Sequence, residues 1–202
     1  MLLNGNTESG HSYKVRLFLL LAGINHIYRS VDLEIARAAR PADFVAASKF
    51  GEVPVLVCEG TNYCQSNAIL AFLAQRFRRY QGRPDEWHLV LEWLSWETNR
   101  IGFSVPNLRH ARRWEPQPRE VLGFLEQRAA FDLSTLDKLL SQSEFLLPSG
   151  MSIADLSCAA YLYWIDQAGL SLDGFPHVNR WLKSISAADG WEHPTSAMRN
   201  ET

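Results

Sequence analysis

Apolar positions in the first eighty residues fall in short blocks between turn residues, whereas beyond residue 85 they recur at helical spacing, so the pattern alone divides the chain in two. Residues 1–4 read as a strand, 5–9 as a turn and 10–22 as a helix, with Gly23 in the place after the helix that favours positive φ. Residues 27–33 alternate as a strand does, with Ile27, Arg29 and Val31 on one face and Tyr28, Ser30 and Asp32 on the other. An Ala-rich connection follows. Residues 53–58 (VPVLVC) form an apolar strand, residues 60–62 turn, and Tyr63 and Cys64 open the return strand of a hairpin. Ser66 starts a helix in which Ile69, Leu70, Leu73 and Phe77 recur every three or four residues, the amphipathic face that packs on a sheet.

The second part predicts helices only. Residues 86–112 carry Val90, Trp93, Leu94, Trp96 and Ile101, with Pro106 expected to kink or end the run, and residues 119–140 form a second long helix. Ser152-Ile153-Ala154-Asp155 is a capping box that opens a buried helix to about residue 168. Pro176 opens another, through Val178, Trp181, Leu182 and Ile185, to about residue 188. From Gly190 onward the polar tail reads as loose. The join is expected in residues 80–85, YQGRPD, where Gly82 and Pro84 sit among polar neighbours.

Composition narrows the classes. The 202 residues are 47% hydrophobic and 21% charged, with 12 Gly and 9 Pro, which excludes a disordered or collagen-like chain. Twenty basic and 22 acidic residues give a formal charge of -2, which leaves no excess to attract nucleic acid or an anionic membrane. The longest apolar stretch, residues 15–24, is broken by Arg16 and Gly23, falls short of the ~20 residues that span a bilayer, and no basic start of a signal peptide precedes it, so a cytoplasmic protein is expected. Cys58, Cys64 and Cys158 form an odd set without CxxC or CxxH spacing, so neither a disulfide framework nor a metal site is expected, and their apolar settings suit inert core thiols.

Four features can carry chemistry. Ser9 to Arg16 (SGHSYKVR) lies at a strand-to-helix turn, where first-turn amides and the positive dipole end favour an anion, although Ser9 is equally a preferred helix cap. Val53-Pro54 interrupts an apolar strand with a residue that cannot donate to a sheet ladder. Gln65-Ser66 stands at a second donor-rich helix start suited to a carboxylate, where Ser66 can also serve as a cap and Gln65 can accept from an ammonium. The capping box at Ser152 reads as structural.

Taken in series, these segments resemble the cytosolic glutathione S-transferase family over nearly the whole chain. SGHSYKVRLFLLLAGI is similar to its first-helix segment, SKFGEVPVL to its loop ending in Val-Pro, YCQSNAILAFL to its glutamyl-binding turn and helix, and SIADL with FPHVNRWLKSI to its sixth-helix capping segment and the helix after it. The resemblance implies an α/β thioredoxin-like N-terminal domain over residues 1–80, which binds glutathione, followed by an all-α helical domain over residues 86–202 with an acceptor pocket between the two.

By the same resemblance the co-substrate is glutathione, no metal takes part, the second substrate is a small electrophile and the protein is a homodimer. Gln65 and Ser66 would hold the γ-glutamyl end, and a cis Val53-Pro54 bond would expose the Val53 backbone to the cysteinyl residue as an added strand does. No Tyr follows the first strand, which leaves a serine-type, bacterial-type site: Ser9 leads, with Ser12, at a place where some bacterial members carry a cysteine, and His11 and Thr7 on the same turn as alternatives. A free thiol has a pKa of about 8.5, so a donor aimed at the sulfur is needed to favour the thiolate. Members often carry a basic residue just before Val-Pro to meet the glycyl carboxylate; this chain has Glu52, which leaves Arg40 or Lys49 to replace it. The acceptor pocket is expected among Trp96, Phe103, Trp114, Tyr161 and Trp164. A glutathione-dependent peroxidase or disulfide reductase, and a non-catalytic binding protein on the same fold, are the alternative functions.

Overall fold

The structure is a computed structural model and describes residues 1–199. The chain clusters into two compact units, one of residues 1–79 with the C-terminal segment from Ala188, the other of residues 80–187.

In the first unit β1 (Leu2–Gly5) leads through α1 (Gly10–Leu21) into β2 (Ile27–Ser30), which pairs parallel to β1 with Leu3 opposite Tyr28. A parallel neighbour needs a crossover, and α1 supplies it. After α2 (Ala42–Ala47) come β3 (Val55–Cys58), antiparallel to β1, its hairpin partner β4 (Thr61–Cys64), and α3 (Ser66–Phe77), giving the strand order β2-β1-β3-β4. The sheet strand begins at Val55, after the proline, and the Val53–Pro54 bond is cis. Pro54 therefore leads into β3 rather than interrupting it, which spares the ladder a missing donor.

α1 buries ten of its twelve residues, because it packs against the sheet, α3 and the returning C-terminal segment. Gly5 allows the close approach at its start, since a Cβ there would lie 2.8 Å from the Tyr28 ring and 2.9 Å from Ser12 Cβ. Through Arg199 the tail expected to be loose is packed instead, and its last three positions lie outside the described residues. Tyr13 donates to Glu192 O at 2.8 Å, Arg16 to Arg199 O at 2.8 Å, Met198 is buried, and α9 (Pro194–Ala197) rests on α1. Gly190, at φ +83, lets the chain cross Leu20, where a Cβ would stand 2.8 Å from the carbonyl oxygen. Residues 188–199 thus belong with the sheet unit and not with the helical part assigned to them from the sequence, because anchors buried within α1 hold them.

Tyr28 lies under the Arg16 guanidinium, whose central carbon is 4.1 Å from the ring centroid, and burial pushes the phenol from 10.0 up to about 12 against the opposing pull of Arg16. Between those values the folded protein keeps a proton that the unfolded chain loses, so stability should fall as pH rises from 10.0 towards 12, by about 2 to 3 kcal/mol in all. Tyr28→Phe should abolish that alkaline loss. Denaturant titrations at several alkaline pH values test it, and equal pH dependence in parent and variant would refute the assignment.

The second unit is helical. α4 (Trp87–Asn99) and α5 (Ile101–Arg113) divide at Arg100, whose φ of -120 and ψ of -103 leave the helix, while Pro106 sits inside α5 without ending it. The expected break at the proline is thus misplaced by six residues. Arg100 donates through Nε to the buried Asp132 at 2.9 Å, and a Cβ on Gly102 would lie 2.8 Å from the Glu97 carbonyl oxygen, so the tight junction needs that glycine. α6 (Arg119–Leu140) and α8 (Pro176–Ser186) cap each other: Asp137 accepts from the His177 and Val178 amides, and Arg180 donates to Leu140 O. Between them α7 (Ile153–Ala159) is buried on every side and continues as tighter turns over Ala160–Ala168, with Trp164 off helical geometry. An α/β thioredoxin-like unit followed by an all-helical one is the fold class expected from the sequence. Among the described residues no helix is long and apolar enough to cross a membrane.

Candidate functional site

β1 runs antiparallel to β3, and β3 to β4, so the C-terminal end of β1, the N-terminal end of β3 and the C-terminal end of β4 share one end of the sheet. That topology brings together three turns far apart in sequence, which carry Ser9, Val53-Pro54 and Gln65-Ser66.

At the first turn Ser9 is the N-cap of α1, and its Oγ accepts from the Ser12 amide at 3.1 Å. The cap bond uses a lone pair and leaves the hydroxyl proton available to donate. Ser9 and His11 are half-buried, whereas Ser12 is fully buried and its Oγ accepts from the Asn6 amide at 3.3 Å. Asn6 is itself tied to Val31 O through Nδ2 at 3.0 Å.

The loop before β3 is laced to its own backbone. Ser48 Oγ donates to Glu52 O at 2.8 Å, and Arg40 spends three donors on the carbonyls of Leu33, Ile35 and Gly51, at 2.8, 3.2 and 3.2 Å. Arg40 therefore acts as a strut of the loop. Lys49 is exposed, 5.1 Å from the Phe50 ring centroid, and lines with Cys64 and Tyr63 an open cleft of about 570 Å³.

At the third turn Gln65 is the N-cap of α3 with φ 69 and ψ 114, a left-handed backbone that costs a non-glycine residue about 1 to 3 kcal/mol and is found where a site requires it. Its Nε2 donates to Glu52 Oε2 at 2.9 Å, which joins this turn to the Val-Pro loop and engages the carboxylate that stands where a base is usual. Ser66 is the first residue inside the helix, so the capping position suggested for it belongs to Gln65. Asn67 Oδ1 accepts from Lys14 Nζ at 2.9 Å, which ties α3 to α1. Neither helix has an acidic residue in its first turn, so both positive dipole ends stand uncompensated from within. Lys14 and Asn67 escaped the sequence reading, although two basic residues in the apolar run YKVRLFLLL mark buried charges.

In the second unit Trp164 is buried with the Arg109 guanidinium 4.4 Å above its ring, Trp114 lies 5.0 Å from the same group, and Tyr161 is 6.3 Å from Trp164. Two of the five aromatics expected at an acceptor pocket, Trp114 and Trp164, thus flank Arg109, and a third, Tyr161, neighbours Trp164. Trp96 pairs edge-on with Trp93, and Phe103 lies under Arg128. The three cysteines are free thiols, with Cys58 and Cys158 buried and Cys64 half-buried. No group of three or more His, Cys, Asp or Glu side chains is placed to hold a metal ion among the described residues.

A thioredoxin-like sheet unit succeeded by an all-helical unit is the glutathione transferase fold. Family models agree: that of the glutathione S-transferase N-terminal domain matches residues 8–76 and that of the C-terminal domain residues 111–184, and the chain belongs to this family. It is similar to the crystal structure of a glutathione S-transferase from Pseudomonas fluorescens, 28% identical, with a TM-score of 0.87 over 96% of this chain and 98% of that one. Curated relatives include the disulfide-bond oxidoreductase YfcG of Escherichia coli, 27% identical over 89% of this chain and 86% of its own length. Another is the maleylacetoacetate isomerase of Pseudomonas aeruginosa, 25% identical over 96% and 95%.

Proposed function

We propose that this protein is a serine-type glutathione transferase, which binds glutathione on the three turns at the sheet end and uses Ser9 to hold the thiol as thiolate for attack on a small electrophile. The observation that carries the reading is the convergence of a helix-capping hydroxyl that accepts from the Ser12 amide, the Val53 backbone and the strained Gln65-Ser66 turn at one end of the sheet. Glutathione has a carboxylate at each end and a thiol between them. Ser66 and the first-turn amides of α3 suit the glutamyl carboxylate, the Val53 backbone the cysteinyl residue, and exposed Lys49 the glycyl carboxylate.

Titration with glutathione, followed by a panel of electrophiles, disulfides and peroxides, tests the reading. Ser66→Ala should weaken glutathione binding by ~1 to 3 kcal/mol, the loss of a hydrogen bond to a charged carboxylate, with little change in melting temperature because Gln65 and not Ser66 occupies the cap. An unchanged dissociation constant would place the glutamyl end elsewhere. A homodimer is the expected assembly, and a light-scattering mass of one 23.0 kDa chain at micromolar concentration would remove it.

A second reading is favoured by the relative named as a disulfide-bond oxidoreductase. The thiolate of bound glutathione would then attack one sulfur of a disulfide, expelling the other as a thiolate and forming a mixed disulfide, and a second glutathione would attack the glutathione sulfur of that mixed disulfide, expelling the remaining thiol and forming glutathione disulfide. With serines at positions 9 and 12, no protein thiol of the first turn takes part. Turnover of disulfides with none of any electrophile would decide for it.

A further inference from the structure

Lys14 is the fifth residue of α1, and its side chain is completely buried inside the first unit. Burying an ammonium is costly, so a fold retains one where a particular hydrogen bond or anion repays the desolvation. Nζ donates to Asn67 Oδ1 at 2.9 Å, and Asn67 is the second residue of α3, directly after Ser66. The bond crosses between two helices that pack together, so it fixes the first turn of α3 from behind while the backbone amides of such a turn point out of the helix end. Burial has a second consequence. The field of an exposed lysine is screened by water and salt within a Debye length, whereas a completely buried charge is screened far less and adds to the positive end of the α3 dipole.

We propose that Lys14 is a positioning and specificity residue for the glutamyl end of glutathione: through Asn67 it locks the first turn of α3, and its charge selects ligands that carry a carboxylate at that end. The proposal rests on the glutathione reading above and extends it to a residue that does not touch the ligand. A purely structural lysine would support every ligand of the site equally. A charge behind the anion site distinguishes glutathione from the same tripeptide without its glutamyl carboxylate.

Calorimetric and competition titrations of the full chain with glutathione and with 4-aminobutanoyl-cysteinyl-glycine, which lacks only that carboxylate, separate the two roles. Lys14→Gln should lower glutathione affinity roughly tenfold, the scale of one charge–charge interaction in a partly shielded site, and change affinity for the analogue less than about twofold. Lys14→Arg, which keeps the charge, should retain most of the preference for glutathione. Equal losses on both ligands, or no loss on either, overturn the proposal. Should Lys14→Gln fail to fold, Asn67→Ala at a half-buried position carries the same comparison: a loss of a few-fold confined to glutathione supports the proposal, and an unselective loss or none refutes it. A parent protein that binds neither ligand overturns this proposal together with the glutathione reading, whereas a parent that binds glutathione beside a Lys14→Gln variant of undiminished preference overturns this proposal alone.

Discussion

Replacing Ser9 with alanine should raise the pKa of bound glutathione, leave its affinity at low pH nearly unchanged, and lower turnover at neutral pH by on the order of ten- to a thousandfold. The Ser9 hydroxyl accepts from the Ser12 amide at 3.1 Å and keeps its proton to donate, so a sulfur held at the mouth of the turn gains a donor that favours its charged form. Neutral thiol has little use for that donor, hence the small effect on affinity at low pH. The deficit should shrink as pH rises and thiolate becomes abundant without help. Loss of the cap costs helix stability as well, about 1 kcal/mol, so melting temperatures belong beside the rates. Ser12→Ala and His11→Ala are the comparisons: Ser12 is fully buried and occupied by the Asn6 amide, and His11 is half-buried on the same turn. Thiolate absorbance in the enzyme complex as a function of pH decides among them. A Ser9→Ala complex that titrates like the parent, while one of the others is shifted, would give the role to that neighbour and leave Ser9 a cap.

The largest stability effect is expected at Asp155. Its carboxylate, completely buried at the start of α7, accepts from the Leu146 amide at 2.9 Å, the Ser152 amide at 2.8 Å, the Ser152 hydroxyl at 3.0 Å and Trp181 Nε1 at 2.9 Å. Asp155→Ala leaves these buried donors without an acceptor in a place water does not reach. Each unsatisfied buried group costs ~1 to 3 kcal/mol, and partial relaxation brings the whole to about 3 to 5 kcal/mol. Ser152→Ala, which removes one member and leaves the carboxylate its other donors, should cost about 1 to 2 kcal/mol. Denaturant unfolding followed by tryptophan fluorescence measures both. An Asp155→Ala variant within about 1 kcal/mol of the parent would show that α7 is held by packing alone.

The order of elements was legible because each depends on short-range rules. Period-two and helical spacing located the strands and α1, α3, α6 and α8, and the Ser152–Asp155 box announced the start of α7, since capping is settled within four residues. The family resemblance came from the same local segments. The α4–α5 break was misjudged because its cause is not local: Arg100 leaves the helix where it meets Asp132, thirty-two residues away, while Pro106 is accommodated inside α5. The tail looked loose for a similar reason. Its polar sequence conceals that Tyr13 and Arg16, early in the chain, reach its backbone at Glu192 and Arg199.

At the site, residue types and turns could be read from the sequence, but the distribution of hydrogen bonds among them could not. Ser9 leads Ser12 on the sequence, and the fold half-exposes the first and buries the second, because the amide of Asn6 and the space above Gly5 fall to Ser12. Arg40 and Lys49 were interchangeable candidates until loop carbonyls claimed the first. The pairing of Gln65 with Glu52 and of Lys14 with Asn67 joins residues 13 and 53 positions apart, distances over which a sequence sets only composition and the packed chain chooses the partner. Sequence therefore determined which groups were present and which turns carried them, since caps, turns and periodicity act over a few residues. Only the sheet, by running β1, β3 and β4 in alternating directions, decided that those turns meet at one end.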